Sequence, residues 1–375
     1  MGNRVDKLLF TPGPLTTSGT VKSAMLQDLG SRDNAFIEKV TSIRARLLSM
    51  ANVSAAAGYT SIIIQGSGTF GIEAVISSAI PANGHLLILI NGVYGERISK
   101  IASIHKILQT RMVFPENQIP DPILVRQMLE QDPTITHVAI IHCETTTGII
   151  NPIEAIGEIC SEYRKTYIVD AMSSFGAYPV DMEASHIDFL ISSSNKCIEG
   201  VPGFSFVLAR TETIKTCENQ ARTLTLDLFA QWKGLESDGQ FRFTPPTHVL
   251  LAFARAMDEL DQEGGVAGRM LRYKENYELL SEGMLQMGFK EYIEPGNRGY
   301  IITCFHYPTH PDFSFRNFYN SLSDKGFVIY PGKLSQVDCF RIGNIGQIRS
   351  TDIHRLLLAI RTTLGEYGIT VPLQP

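Results

Sequence analysis

An α/β fold built on a parallel sheet with both faces covered is what this sequence of 375 residues predicts, and three observations carry it. Six short runs are almost continuously apolar or β-branched, as strands buried on both faces must be. Segments with helical apolar spacing lie between several of them, the alternation expected of parallel strands joined by crossover helices. Near residue 260 the rhythm changes, and the remaining chain reads as a smaller α+β unit.

The strand candidates are TSIIIQ (60–65), HLLILI (85–90), HVAIIH (137–142), TYIVDA (166–171), IDFLIS (187–192) and FSFVLA (204–209). GIEAVISSAI (71–80) and IEAIGEICSEYR (153–164) are helices by the recurrence of apolar residues at three- and four-residue spacing. From Pro245 to about Tyr277 the pattern is helical, interrupted only by the EGG turn at 263–265. The tail then offers strands in YIITCFHYP (300–308), GFVIYPGK (326–333) and CFRIGNIG (339–346). It also offers helices around Phe313–Lys325 and Asp352–Leu364. Strand order is not legible from such runs.

Composition narrows the function classes. Lys and Arg number 33 against 38 Asp and Glu, a formal net charge of −5, so nothing drives phosphate-backbone binding and nucleic acid is not expected as a partner. No apolar run approaches the roughly 20 residues that span a bilayer, and Pro12 arrives before any signal-peptide core is built. A cytoplasmic protein with no membrane contact is the expectation. The six cysteines lie far apart without metal-ligand spacing and read as small buried hydrophobes. Pro308 lies between His306 and His310, so that pair is expected on a surface loop rather than on a metal-binding helix face.

Residues Gly66-Ser67-Gly68-Thr69-Phe70-Gly71 satisfy G-x-G-x-x-G between a strand and a helix, which invites a dinucleotide-dehydrogenase reading. That reading requires an acidic residue some 20 positions on to hold the ribose. Here the second strand ends Ile90-Asn91-Gly92, with no Asp or Glu between Ala74 and Val93. What survives is a cup for one phosphate: a tight glycine turn, the unpaired N–H groups of a helix start, and the hydroxyls of Ser67 and Thr69.

Asp170 ends one strand candidate, and Lys196 follows shortly after another. In open α/β sheets the carboxyl edge is where ligands bind. A phosphate cup, an acid and an amine at that edge are the three groups that pyridoxal phosphate requires. The acid keeps the pyridine nitrogen protonated, and the amine joins the aldehyde and later moves a proton. Tyr94, in NGVYGER after the second strand, is placed to stack on the ring or to pack on the core.

TPGPLTTS (11–18), IIIQGSGTFGIEAV (62–75), ETTTGIINPI (144–153), YIVDAMSSFGAYPVDM (167–182), SSSNKCIEGVPGFSFV (192–207) and YPGKLSQVDCFRIGNIG (330–346) together resemble the 2-aminoethylphosphonate–pyruvate transaminases. The broader relatives are the alanine–glyoxylate and serine–pyruvate aminotransferases of the class V family. The resemblance runs from residue 8 to about 360. It implies a fold type I pyridoxal-phosphate enzyme. The expected parts are an N-terminal segment (1–15) on the small domain, a large domain (16–260) with a mainly parallel seven-stranded sheet, and a small α+β domain (261–375).

The same resemblance implies a role for each of several positions. Lys196 is the lysine that carries the cofactor as a Schiff base, and Asp170 is the partner of the pyridinium nitrogen. Ser67, Gly68 and Thr69 form the phosphate loop, Tyr94 stacks on the ring, and Thr145 lies near the phenolic oxygen. Thr247 reaches the phosphate from the neighbouring subunit of a homodimer whose active sites are shared. Arg341 grips the substrate's acid group, its guanidinium fork suiting carboxylate or phosphonate oxygens alike. The implied reaction converts 2-aminoethylphosphonate and pyruvate to phosphonoacetaldehyde and L-alanine, a step of phosphonate degradation. An alanine–glyoxylate or serine–pyruvate type transaminase is the alternative. A binding protein that kept the fold without catalysis is a further one, opposed by the presence of both Lys196 and Asp170. Arg32, Arg44 and Arg97 are all candidates for reading the phosphonate, with nothing in the residues to choose among them.

Overall fold

The computed structural model describes residues 6–332, 334 and 337–373. Residues 1–5 of the N-terminal segment, and Lys333, Ser335 and Gln336 of the 330–346 motif, lie outside the described residues. The strands of the main sheet are β1 (Tyr59–Gln65), β2 (His85–Ile90), β3 (Leu108–Val113), β4 (His137–Ile141), β5 (Thr166–Asp170), β6 (Phe189–Ser193) and β7 (Phe204–Arg210). They form one seven-stranded sheet in the order β1-β7-β6-β5-β4-β2-β3.

All six sequence-predicted strands are present. Two features differ from the sequence reading. The first is β7, which runs antiparallel to both neighbours, pairing Phe204 with Gln65 and Ser205 with Ser193. A strand buried on both faces looks alike in either direction, so its direction left no mark in the residues. The second is β3, which no apolar run announced, because LQTRMV at the sheet edge leaves Leu108 and Val113 well exposed. The remaining pairs are parallel, with β2 and β4 fully buried.

Helices α1 (Asn34–Met50), α2 (Gly68–Ala79), α3 (Val93–Ile104), α4 (Pro122–Gln131) and α5 (Ile153–Glu162) pack around this sheet. Their starts are locally encoded. The Asp33 carboxylate accepts from the Ala35 N–H at 2.9 Å, and Asp121 caps α4 ahead of a first-turn proline. Burial of apolar faces against the sheet supplies most of the stability, at roughly 25 cal/mol per Å² removed from water.

Two long helices, α6 (Thr247–Gln262) and α7 (Gly265–Gln286), flank the predicted EGG turn and lead to a three-stranded antiparallel sheet. Its strands are β8 (Ile302–His306), β9 (Tyr330–Pro331) and β10 (Cys339–Gly343), in the order β8-β10-β9. Helices α8 (Phe315–Asp324) and α9 (Ser350–Glu366) complete this part. Its core joins Phe305, Phe318, Phe340, Leu356 and Ile360 with Phe10 from the chain's start. Leu8–Leu9 adds a short parallel pairing with Phe327–Val328, which brings residues 8–10 onto this second core. His306 closes strand β8, whereas the sequence reading placed it on a loop with His310. All six cysteines are free and buried. Among the described residues no helix is long and apolar enough to cross a membrane.

Candidate active site

Four connections at the carboxyl ends of parallel strands converge on one cavity. The turn after β1 brings Ser67, Gly68 and Thr69. The turn after β2 brings Tyr94, the end of β5 brings Asp170, and the turn after β6 brings Lys196. These six residues line a cavity of about 200 Å³ together with Arg97, Cys143, Met172, Ser173, Ser193 and Asn195. The position follows from topology, since parallel strands end along one edge and their connections must diverge there.

Ser67 is the N-cap residue of α2, and its side chain makes no cap hydrogen bond, so first-turn N–H groups stay available to an anion. Gly68 lies in close approach to Met172: a Cβ there would come within 2.3 Å of the Met172 sulfur, which would have to shift. The cup is thus backbone and hydroxyl, without a side chain in its base.

Asp170 Oδ1 accepts from the Met172 N–H at 2.9 Å, and the residue is buried. Burial raises its pKa to about 6, opposed by the Met172 hydrogen bond and by the charges of Arg97 and Lys196. Lys196 Nζ donates to the Pro12 carbonyl at 2.7 Å. Burial lowers the Lys196 ammonium to about 8, with the Asp170 carboxylate pulling the other way. A lysine whose ammonium is weakened by burial and a buried carboxylate therefore face one space.

Arg97 sits with its guanidinium carbon 4.8 Å from the Tyr94 ring centroid and donates to Thr69 Oγ1 at 3.2 Å. The other two arginines weighed from sequence lie elsewhere. Arg44 is tied to the Ser61 and Leu235 carbonyls and paired with Glu236. Arg32 lines a separate hollow with Gln240 to Pro245.

Arg341, on β10, is buried and held by carbonyl oxygens, from Nε to Pro331 at 3.0 Å and from Nη1 to Thr145 at 2.8 Å. Among the described residues it has no ion-pair partner, and burial lowers its pKa. A buried guanidinium without a counter-ion is a receptor for an anion. Thr145 is buried beside it and meets Arg341 through its main chain. Thr145, Thr247 and Arg341 are not among the cavity-lining residues of the single chain; Thr247 is the first residue of α6, and its hydroxyl lies 3.5 Å from His248 Nδ1.

Met172, Ser173, Ser193 and Asn195 were given no role in the sequence reading, although each lies within three residues of Asp170 or Lys196. Cys143 was counted only as core. The buried side chain of Glu144, inside the ETTTG motif, was missed as well.

Residues chosen for cofactor chemistry and a cup suited to phosphate thus meet in one cavity. The chain is 49% identical over 362 residues to the 2-aminoethylphosphonate–pyruvate transaminase of Syntrophobacter fumaroxidans, covering 96% of this chain and 97% of that one. It is 50% identical over 359 residues to the enzyme of the same name from Salmonella gallinarum, covering 95% and 97%. In three dimensions it superposes on an alanine–glyoxylate aminotransferase from Nostoc sp. with a TM-score of 0.89 at 25% identity, covering 97% of this chain and 96% of that one. Residues 17–333 match the family described as aminotransferase class-V, and the chain belongs to that family.

Proposed function

We propose that this protein transfers the amino group of 2-aminoethylphosphonate to pyruvate, using pyridoxal 5′-phosphate. The observation that carries the reading is the presence of Lys196 and Asp170 in one cavity with the Ser67–Thr69 cup. The names of relatives about half identical over nearly the whole chain support the substrate pair.

The residues present fit the cofactor. The base of the cup is the backbone of Gly68 packed against Met172, its helix start presents N–H donors, and a buried carboxylate and a buried amine line the same cavity. Bound there, pyridoxal phosphate supplies an electron sink for charge left on the carbon that carries the amino group.

In this reading Ser67, Gly68 and Thr69 hold the phosphate, with Thr247 reaching it from the second subunit of a homodimer. Tyr94 covers one ring face, and Thr145 lies near the phenolic oxygen. Asp170 stays ionised above about pH 6 and keeps the ring nitrogen protonated. Lys196 Nζ takes the proton from the substrate carbon as general base and holds it for return, a task suited to an amine lowered to about 8. Arg341 binds the carboxylate or phosphonate of each substrate. Arg97, the one of the three weighed arginines that lines the cavity, is the nearest further cation for the phosphonate.

We also read residues 1–15, 16–260 and 261–375 as an N-terminal segment and two packed domains, supported by one apolar core within each and a third cluster that joins them. Six free thiols suit a reducing compartment and hence the cytoplasm.

The test is an amino-donor panel with pyruvate as acceptor, scoring alanine formation. 2-Aminoethylphosphonate is expected to exceed serine and alanine analogues by orders of magnitude in kcat/KM. Equal turnover with serine, or with alanine and glyoxylate as the pair, moves the reading to the broader relatives. Borohydride reduction is expected to tether the cofactor to the Lys196 peptide; a fully folded protein that takes up no cofactor ends the reading.

A further inference from the structure

The carboxyl group of Glu144 lies fully buried between two elements that carry candidate site residues. Helix α3 begins after Gly92, which has no side chain to cap it, and no other N-cap side-chain bond is present. Its missing cap comes from elsewhere in the sequence: Glu144 Oε2 accepts from the Tyr94 N–H at 3.1 Å. Glu144 Oε1 accepts from the Thr146 N–H at 3.2 Å and from the Thr146 hydroxyl at 2.7 Å. A carboxylate at the positive end of a helix, in a buried setting, is both a cap and a dipole partner.

The packing at this point is equally specific. A Cβ added to Gly92 would lie 2.4 Å from Glu144 Cδ and 2.7 Å from its Oε2. The φ of Gly92 is 173°, an extended conformation open to any residue, so it is Glu144 that excludes a side chain there. On the other side, the next residue's carbonyl, that of Thr145, accepts from Arg341 Nη1 at 2.8 Å. Residues 144 and 145 therefore grip the start of the Tyr94 helix with one group and the Arg341 guanidinium with the next.

We propose that Glu144 is a positioning residue, which caps helix α3 from a distance and thereby fixes where Tyr94 and Arg97 enter the cavity, while its neighbour Thr145 holds Arg341. This rests on the cavity being the cofactor and substrate site. Glu144 does not line the cavity and acts through the backbone it holds.

The test uses Glu144→Gln, Glu144→Ala, Gly92→Ala and the double variant, all read by cofactor Kd from equilibrium dialysis and by KM and kcat separately. Glu144→Gln keeps an oxygen acceptor for the Tyr94 N–H and is expected to stay within about threefold of wild type in cofactor Kd. Glu144→Ala is expected to weaken cofactor binding about tenfold and to raise the KM for pyruvate, as loss of a buried cap does. Gly92→Ala displaces the carboxylate and should show the same weakening in the Glu144 background. In the Glu144→Ala background the methyl group has room, so the added cost of Gly92→Ala should vanish.

Three results overturn the proposal: a folded Glu144→Ala with wild-type cofactor Kd and KM, a Gln variant as damaged as the Ala variant, or an undiminished Gly92→Ala effect without Glu144. Should Glu144→Ala fail to fold, the Gln variant and Gly92→Ala still decide: the proposal requires the first near wild type and the second weakened. Absence of cofactor uptake by the wild-type protein would instead strike the proposed function itself.

Discussion

The side-chain amine of Lys196 donates to the main-chain carbonyl of Pro12 at 2.7 Å, so a segment near residue 12 meets the candidate catalytic amine directly. The strap that reaches it is anchored on the second core. Phe10 is buried there, and its carbonyl accepts from the Gly343 N–H, two residues beyond Arg341, at 3.0 Å. Main-chain contacts thus connect the strand that bears Arg341 to the amine that would act on the substrate.

Gly13 makes this approach possible. Its φ is +113°, and a Cβ there would lie 2.8 Å from Lys196 Nζ. Gly13→Ala is expected to cost about 1–2 kcal/mol from backbone conformation alone and to displace the amine. A lowered Tm and a smaller fraction of cofactor tethered by borohydride are the expected readings. Wild-type tethering in this variant would show that the strap does not set the amine's position.

Changing Lys196 to Ala is expected to abolish tethering and nearly all turnover. Asp170→Ala should leave a protein that still binds cofactor but abstracts the substrate proton on the order of a hundredfold more slowly or worse. A substrate deuterium isotope effect that grows in Asp170→Ala checks that the proton step is the one slowed. Wild-type speed in either variant removes that residue from the mechanism.

Arg341→Ala should raise the KM for pyruvate by roughly tenfold to a hundredfold, the range for losing a charge-assisted hydrogen-bonded pair. Arg341→Lys should recover only part of it, because an ammonium cannot present the fork. Steady-state kinetics with pyruvate as the varied substrate decides the point. Equal KM in all three proteins would make Arg341 structural.

Stability of the unloaded protein should depend on pH in two opposite ways. The Asp170 and Glu144 carboxyls are raised by burial to about 6 and about 7, so their contribution is full below the ordinary carboxylate range and lost as pH rises through 6 to 7. Lys196 is lowered to about 8, so its contribution is full above its ordinary value of 10.5 and lost as pH falls through 8. Denaturant titrations should show Asp170→Asn flattening the first limb and Lys196→Met the second. Cofactor uptake by wild type should quicken with pH around 8, as the amine loses its proton; a flat uptake rate from pH 6 to 9 contradicts the lowered amine.

Much of the candidate site is legible in the residues. Asp170 and Lys196 stand out because buried strands make continuous apolar runs, and a charged residue just past such a run marks the edge where ligands bind. The Ser67–Thr69 cup is legible only in combination, since glycines and hydroxyls at a helix start serve equally as a turn and an N-cap. Arg97 was one of three arginines with equal claims, and Arg44 was separated from it by contacts with Leu235 and Glu236, far away in the chain. Glu144 was hidden because a carboxylate inside ETTTG gives no sign of capping a helix that begins 50 residues earlier.

By its residues alone, then, this chain determined which buried elements form, which of their ends carry candidate chemical groups, and which family it resembles, because these follow from local periodicity and short motifs. Tertiary structure alone decided the reversed direction of β7, the exposed edge strand β3, the carbonyl cage around Arg341 and the meeting of Pro12 with Lys196. The physical reason is that each of these is a contact between segments distant in sequence, fixed by how buried surfaces and unpaired polar groups find partners once the chain has collapsed.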